Sequence, residues 1–132
     1  VRITADTNIL LRAAVGDHPE QEAAAHRLLS EAERIAIPTA VFCELDWVLK
    51  RIYRFSRTDI ASVIRKYVAS TTVTTDAAAA EAGLAVLELG GDFADGVIAH
   101  QGRALGGQIF ASFDAAALDI TARQGFAVLL PV

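Results

Sequence analysis

Cysteine occurs only once in the 132 residues, at Cys43, so no internal disulfide can form. That fits a reducing compartment, and the cytoplasm is the expected location. Aromatic residues make up 7% of the chain, with one Trp and two Tyr, whereas 26 residues are alanine. This balance argues against an aromatic-rich β sandwich and for closely packed helices on a sheet. No apolar run approaches the ~20 residues that span a bilayer. No basic segment leads into an apolar one, as it would in a secretory signal. A membrane partner is therefore not expected. Neither a CxxC pair nor an HExxH spacing occurs, which removes the usual zinc sites.

What is present begins with charge. The net value of −4 argues against nucleic acid, but the distribution reverses that reading. Lys50, Arg51, Arg54, Arg57, Arg65 and Lys66 stand against one acid, Asp59, so half of the 12 basic residues occupy about an eighth of the length. Such a patch can bind phosphates on an otherwise acidic protein. The alternative is a solvated helical face.

Short β-like runs alternate with longer helical ones across a single expected domain, 1–132. The strand candidates are ITA (3–5), IAIP (35–38), TTVTT (71–75), IFASF (109–113) and AVLL (127–130). Helices are expected near 8–14, 18–34, 39–53, 57–70, 76–89, 94–105 and 115–124, with the glycines at 90–91 and 106–107 as stops. Strands separated by helices imply βαβ units and a mostly parallel sheet covered on both faces. Open sheets of this kind place their sites at the carboxyl ends of the strands. Asp6 follows the first strand and Asp114 the fourth, so both are expected at the same sheet edge.

Three further acids stand out. Projected at ~100° per residue, helix 39–53 carries an apolar stripe of Val41, Leu45, Val48 and Ile52, with Leu49 beside it. Glu44 lies at its margin, and Asp46 and Lys50 fall on the far side. "GGDFADGVIAH" supplies Asp92, placed to cap a helix, and Asp95 in its first turn. Each acid alone has a plain structural reading: a helix cap, an ion pair, or a favourable place near a helix dipole. Four inward carboxylates near one edge would repel one another without a cation between them. All-carboxylate ligation suits Mg²⁺ or Mn²⁺, hard cations that keep several waters.

"ADTNILLR", Glu44 on the following helix, "DFADGVIA" and "SFD" together resemble a PIN domain, in particular the VapC toxins of bacterial toxin–antitoxin pairs. The resemblance covers essentially the whole chain in order. It implies a three-layer α/β/α fold with a mostly parallel central sheet of about five strands. It also implies a Mg²⁺- or Mn²⁺-dependent ribonuclease, a homodimer, and a VapB-type antitoxin that blocks the site. Asp6, Glu44, Asp95 and Asp114 match the family's metal-binding acids, and Ser112 the Thr or Ser that often accompanies the last. Many relatives carry a basic residue just after "FD", where this chain has Ala115 to Ala117.

The implied chemistry is hydrolysis of an RNA phosphodiester by a water that the cation acidifies. Asp92 is an outer member of the set, and Thr7, Asn8 and Ser112 could orient carboxylates or water. Lys50, Arg51, Arg54 and Arg57 could grip the RNA backbone. Helices 39–53 and 57–70 are apolar beyond what a small sheet covers, with Trp47 and Tyr53 as candidate dimer anchors. One alternative is a catalytically inactive PIN-like module that acts through a protein partner. A second is an aspartyl-nucleophile phosphatase, but its second acid is missing, since Asn8 stands two positions after Asp6. A thiol enzyme built on Cys43 and His100 is disfavoured, because Cys43 projects away from Glu44 and a lone Cys is usually packing.

Overall fold

Parallel pairing needs each strand to be followed by a crossover, and the alternation of apolar runs and helices supplies it. In a computed structural model that describes residues 1–132, the chain divides into two compact units, Val1–Asp76 and Ala77–Val132. The first contains β1 (Arg2–Thr4), α1 (Thr7–Ala14), α2 (Pro19–Glu31), β2 (Arg34–Ala36), α3 (Thr39–Arg51), α4 (Arg57–Ala69) and β3 (Val73–Thr74). The second contains α5 (Ala77–Glu88), α6 (Phe93–Ala104), β4 (Ile109–Ala111), α7 (Ala115–Arg123) and β5 (Ala127–Leu129).

The fold is α/β, and all five expected strands form and pair in parallel. They do so as β1-β2-β3 in the first unit and β4-β5 in the second, where one central sheet was expected. Ile3 aligns with Ile35, and Ile35 with Val73. The expected strand at 71–75 shortens to two residues. Ser70 to Thr72 turn instead, closed by the Val73 N–H on the Ser70 carbonyl at 3.2 Å. Thr75 directs its hydroxyl to the Ile37 carbonyl at 2.7 Å.

The core of the first unit gathers Leu10, Ile37, Phe42, Leu45, Leu49, Ile60 and Ile64. Its α3 contribution corrects the expected stripe. Val41, Phe42, Leu45, Asp46 and Leu49 are buried, whereas Val48 is half-buried and Ile52 is 59% exposed. Leu45 belongs to both possible stripes, and the bulkier pair Phe42 and Leu49 decides the rotation. Ile52 lies past the last helical turn, as the C-cap. Turning the helix this way carries Asp46 inward and Glu44 outward.

In the second unit, α5 packs on α6 at a distance only glycine permits. A Cβ at Gly96 would lie 2.2 Å from the Ala82 carbonyl oxygen and 2.8 Å from the Gly83 Cα. Helix α5 ends at Glu88, and Gly90 just beyond it has a φ of +97°, the left-handed conformation that follows helix ends. The glycine of "DFADG" is thus a packing residue that seats the first turn of α6, and Asp95 with it. Gly96→Ala should lower folding stability by about 1–3 kcal/mol, because backbone rather than a flexible side chain must yield. Thermal unfolding checks this, and an unchanged melting point would contradict the close contact.

Candidate functional site

Asp6 follows β1 and stands at the N-cap of α1 in extended conformation, φ −77° and ψ 161°. Its Oδ1 accepts the Thr7 N–H at 2.7 Å, so it is both a helix cap and a candidate ligand. Thr7 is buried, and its hydroxyl donates to Glu44 Oε2 at 2.8 Å. One threonine therefore ties the end of β1 to α3, and holds two of the singled-out acids by one oxygen each. Asn8 is exposed and lines a cavity of about 320 Å³ with Arg12, Gln21 and Leu28. Glu44 itself is exposed, which corrects its expected inward position. The inward carboxylate of α3 is Asp46.

In the second unit, Asp95 is half-buried in the first turn of α6, and its N–H donates to the Asp92 carbonyl at 3.0 Å. Asp92 occupies the N-cap position, but its side chain makes no capping bond, contrary to expectation. Asp114 does cap: its Oδ1 accepts the N–H groups of Ala116 and Ala117 at 3.0 and 3.1 Å. Ser112 accepts the Asp114 N–H through Oγ at 3.0 Å, so it fixes the turn rather than the carboxylate.

Asp6 and Glu44 thus belong to the first unit, Asp95 and Asp114 to the second. Neither unit by itself gathers three His, Cys, Asp or Glu side chains that could hold a metal. The donors available are carboxylate oxygens, the hard type that suits Mg²⁺ or Mn²⁺. Protein hydrogen bonds hold one oxygen of Asp6, Glu44 and Asp114, which leaves the other to meet a cation.

Nucleophilic thiol chemistry fits poorly. Burial first, and then the Asp46 charge, push the Cys43 thiol up to about 11, far from a reactive thiolate at neutral pH. His18 accepts the Gln21 N–H through Nδ1 at 3.1 Å and caps α2.

The basic stretch divides by role. Lys50 Nζ lies 3.3 Å from Asp46 Oδ2, with only 16% and 4% of the two side chains exposed. It is an internal ion pair within α3, not the solvent-facing cation expected at that position. Arg51 and Arg54 are exposed, and Arg57 is half-buried at the start of α4. Arg54 has φ +60°, a left-handed conformation that costs a non-glycine residue stability. Tyr53, a candidate dimer anchor, donates its hydroxyl to Asp17 Oδ2 at 2.9 Å, and Arg12 donates to Asp17 Oδ1 at 3.0 Å. This Arg12–Asp17–Tyr53 cluster joins residues 41 positions apart and has no local sequence signal. Trp47 stays 57% exposed.

A family model described as the PIN domain matches residues 3–123. Among solved structures, the Mycobacterium tuberculosis toxin VapC20, described as cleaving the sarcin-ricin loop, is similar to this chain at 20% identity. That alignment covers 97% of this chain and 98% of the other, with a TM-score of 0.45. No curated protein matches the chain significantly.

The division of the basic stretch can be checked by substitution. Lys50→Ala should lower stability by about 1–3 kcal/mol, since it strips a cation from a buried carboxylate. Arg54→Gly should instead raise the melting point, because glycine adopts the left-handed conformation without a Cβ penalty. Thermal melts of the two variants moving in the same direction would contradict this account.

Proposed function

The chain belongs to the PIN domain family, and from that premise we propose that it is an endoribonuclease that hydrolyses RNA phosphodiester bonds with Mg²⁺ or Mn²⁺. Its expected setting is a VapBC-type pair in the bacterial cytoplasm, with a VapB-type antitoxin blocking the site. The observation that carries this reading is the joint at Thr7, which fixes Asp6 and Glu44 together inside the matched stretch. The family match runs through both compact units, and we take them as parts of one functional domain.

In this reading Asp6, Glu44, Asp95 and Asp114 hold the divalent ion, and Asp92 belongs to the outer set. When bound, the ion supplies Lewis acidity that activates water and neutralises charge on the phosphoryl oxygens. Thr7 holds Glu44 in place, Ser112 fixes the backbone that carries Asp114, and Asn8 is the exposed polar neighbour of the first acid. Arg51, Arg54 and Arg57 hold the RNA backbone as phosphate contacts, with Lys50 committed to Asp46. The substrate class is single-stranded RNA or RNA loops, whose unpaired bases are open to recognition. Homodimerisation through the exposed Trp47 and Ile52 of the α3 region completes the proposal. No helix is long and apolar enough to cross a membrane.

Incubation of the purified protein with total RNA tests the reading. Cleavage is expected with Mg²⁺ or Mn²⁺ and none in EDTA. Asp95→Asn should abolish it, whereas Asp119→Asn, an exposed residue of α7 paired with Arg123, should leave it intact. Cleavage that persists in EDTA would remove the metal from the account. Absence of any cleavage by wild type would favour a PIN-like module that acts by binding alone.

A further inference from the structure

Of six phenylalanines, Phe42 and Phe93 are fully buried, and Phe55, Phe110 and Phe126 are half-buried. Phe113 is the exception, with 80% of its surface in water. An aromatic ring left that exposed forgoes the hydrophobic stabilisation its siblings obtain.

The ring does not ride on a loose segment. Before it, the Ser112 N–H continues the β4-β5 ladder to the Leu129 carbonyl at 3.1 Å. After it, Asp114 is pinned by Ser112 Oγ on its own N–H and by two helix N–H groups on its carboxylate. Phe113 is thus carried on a backbone held on both sides, one residue from a proposed ligand, about 3.8 Å along the chain.

Its neighbours in sequence carry no cation. Ala115 and Ala116 are exposed beside it, and no basic residue follows before Arg123. RNA is held either through its phosphates by cations or through its bases by flat apolar faces. At this turn only the second is offered.

We infer that Phe113 is a stacking platform for one unpaired base of the substrate, next to the phosphate handled at Asp114. This rests on the ribonuclease reading above. A protein partner is the competing occupant, but position favours RNA. Whatever covers Phe113 lies beside Asp114, which the substrate must reach in every turnover.

The test uses the full chain as wild type, Phe113→Ala, Phe113→Leu and Phe113→Trp. Anisotropy in EDTA reads binding to a short labelled oligoadenylate and to the same strand with abasic sites. Phe113→Ala and Phe113→Leu should each weaken oligoadenylate binding roughly tenfold, and Phe113→Trp should retain it. On the abasic strand all four proteins should bind alike. The salt dependence should not change, because no phosphate contact is lost. Melting points should stay together, since the ring is exposed.

An equal loss on the abasic strand would overturn the stacking role. So would intact RNA binding with altered sedimentation, which assigns the ring to a protein contact. Wild type that cleaves total RNA yet binds oligoadenylate no better than Phe113→Ala overturns stacking alone. Wild type that neither binds nor cleaves RNA overturns the ribonuclease reading along with it.

Discussion

A buried threonine hydroxyl needs a partner, and in the first unit that partner is Glu44. Thr7 is the first residue of α1, 6% exposed, with its hydroxyl 2.8 Å from the Glu44 carboxylate. Its N–H meanwhile holds Asp6 at 2.7 Å. An unpaired hydroxyl here would carry a desolvation penalty of about 1–3 kcal/mol, so folding of the unit favours the geometry that fixes these two acids. The β1-β2 parallel pair makes this possible, because it brings the helices that leave both strands to one edge. Structure and proposed chemistry draw on the same hydrogen bonds.

The second unit reaches a comparable result by different means. Asp114 is immobilised by two N–H groups at the start of α7, where the helix dipole also favours a negative charge. Asp95 is positioned indirectly, through a helix that sits tightly on α5 because Gly96 has no side chain. Held carboxylates lose little freedom on meeting a cation, which is the general benefit of preorganisation. In the proposed reading the RNA backbone is held by Arg51, Arg54 and Arg57, which belong to the first unit.

Much of this was legible in the sequence. Element positions follow from β-branched and apolar runs, and the cap at Asp6 from an acid placed where a strand gives way to a helix; the cap at Asp114 came only with the structure. Thr7 was expected as a hydroxyl that could orient a carboxylate, but which carboxylate it meets, Glu44, was not. Other features were not, for identifiable reasons. The α3 sequence supports two apolar stripes that share Leu45, and only packing of Phe42 and Leu49 chooses between them. That choice buries Asp46, engages Lys50 and turns Glu44 outward, three outcomes of one helix rotation. Asp92 sits at a cap position yet makes no capping bond, since position and side-chain geometry are separate facts. The Tyr53–Asp17 hydrogen bond spans 36 positions, beyond any local pattern. Division of the strands into three and two depends on pairing, and strand-like composition does not encode pairing.

The central proposal is that Asp6, Glu44, Asp95 and Asp114 are each needed to bind a divalent ion. Calorimetric titration of Mn²⁺ into wild type, Asp6→Asn, Glu44→Gln, Asp95→Asn and Asp114→Asn tests it most directly. Asn keeps a helix cap while removing the charge, so Asp6→Asn and Asp114→Asn separate ligation from folding. Saturable binding to wild type that is lost or strongly weakened in all four variants is the predicted result. A wild-type isotherm reproduced by the variants of either unit would contradict it.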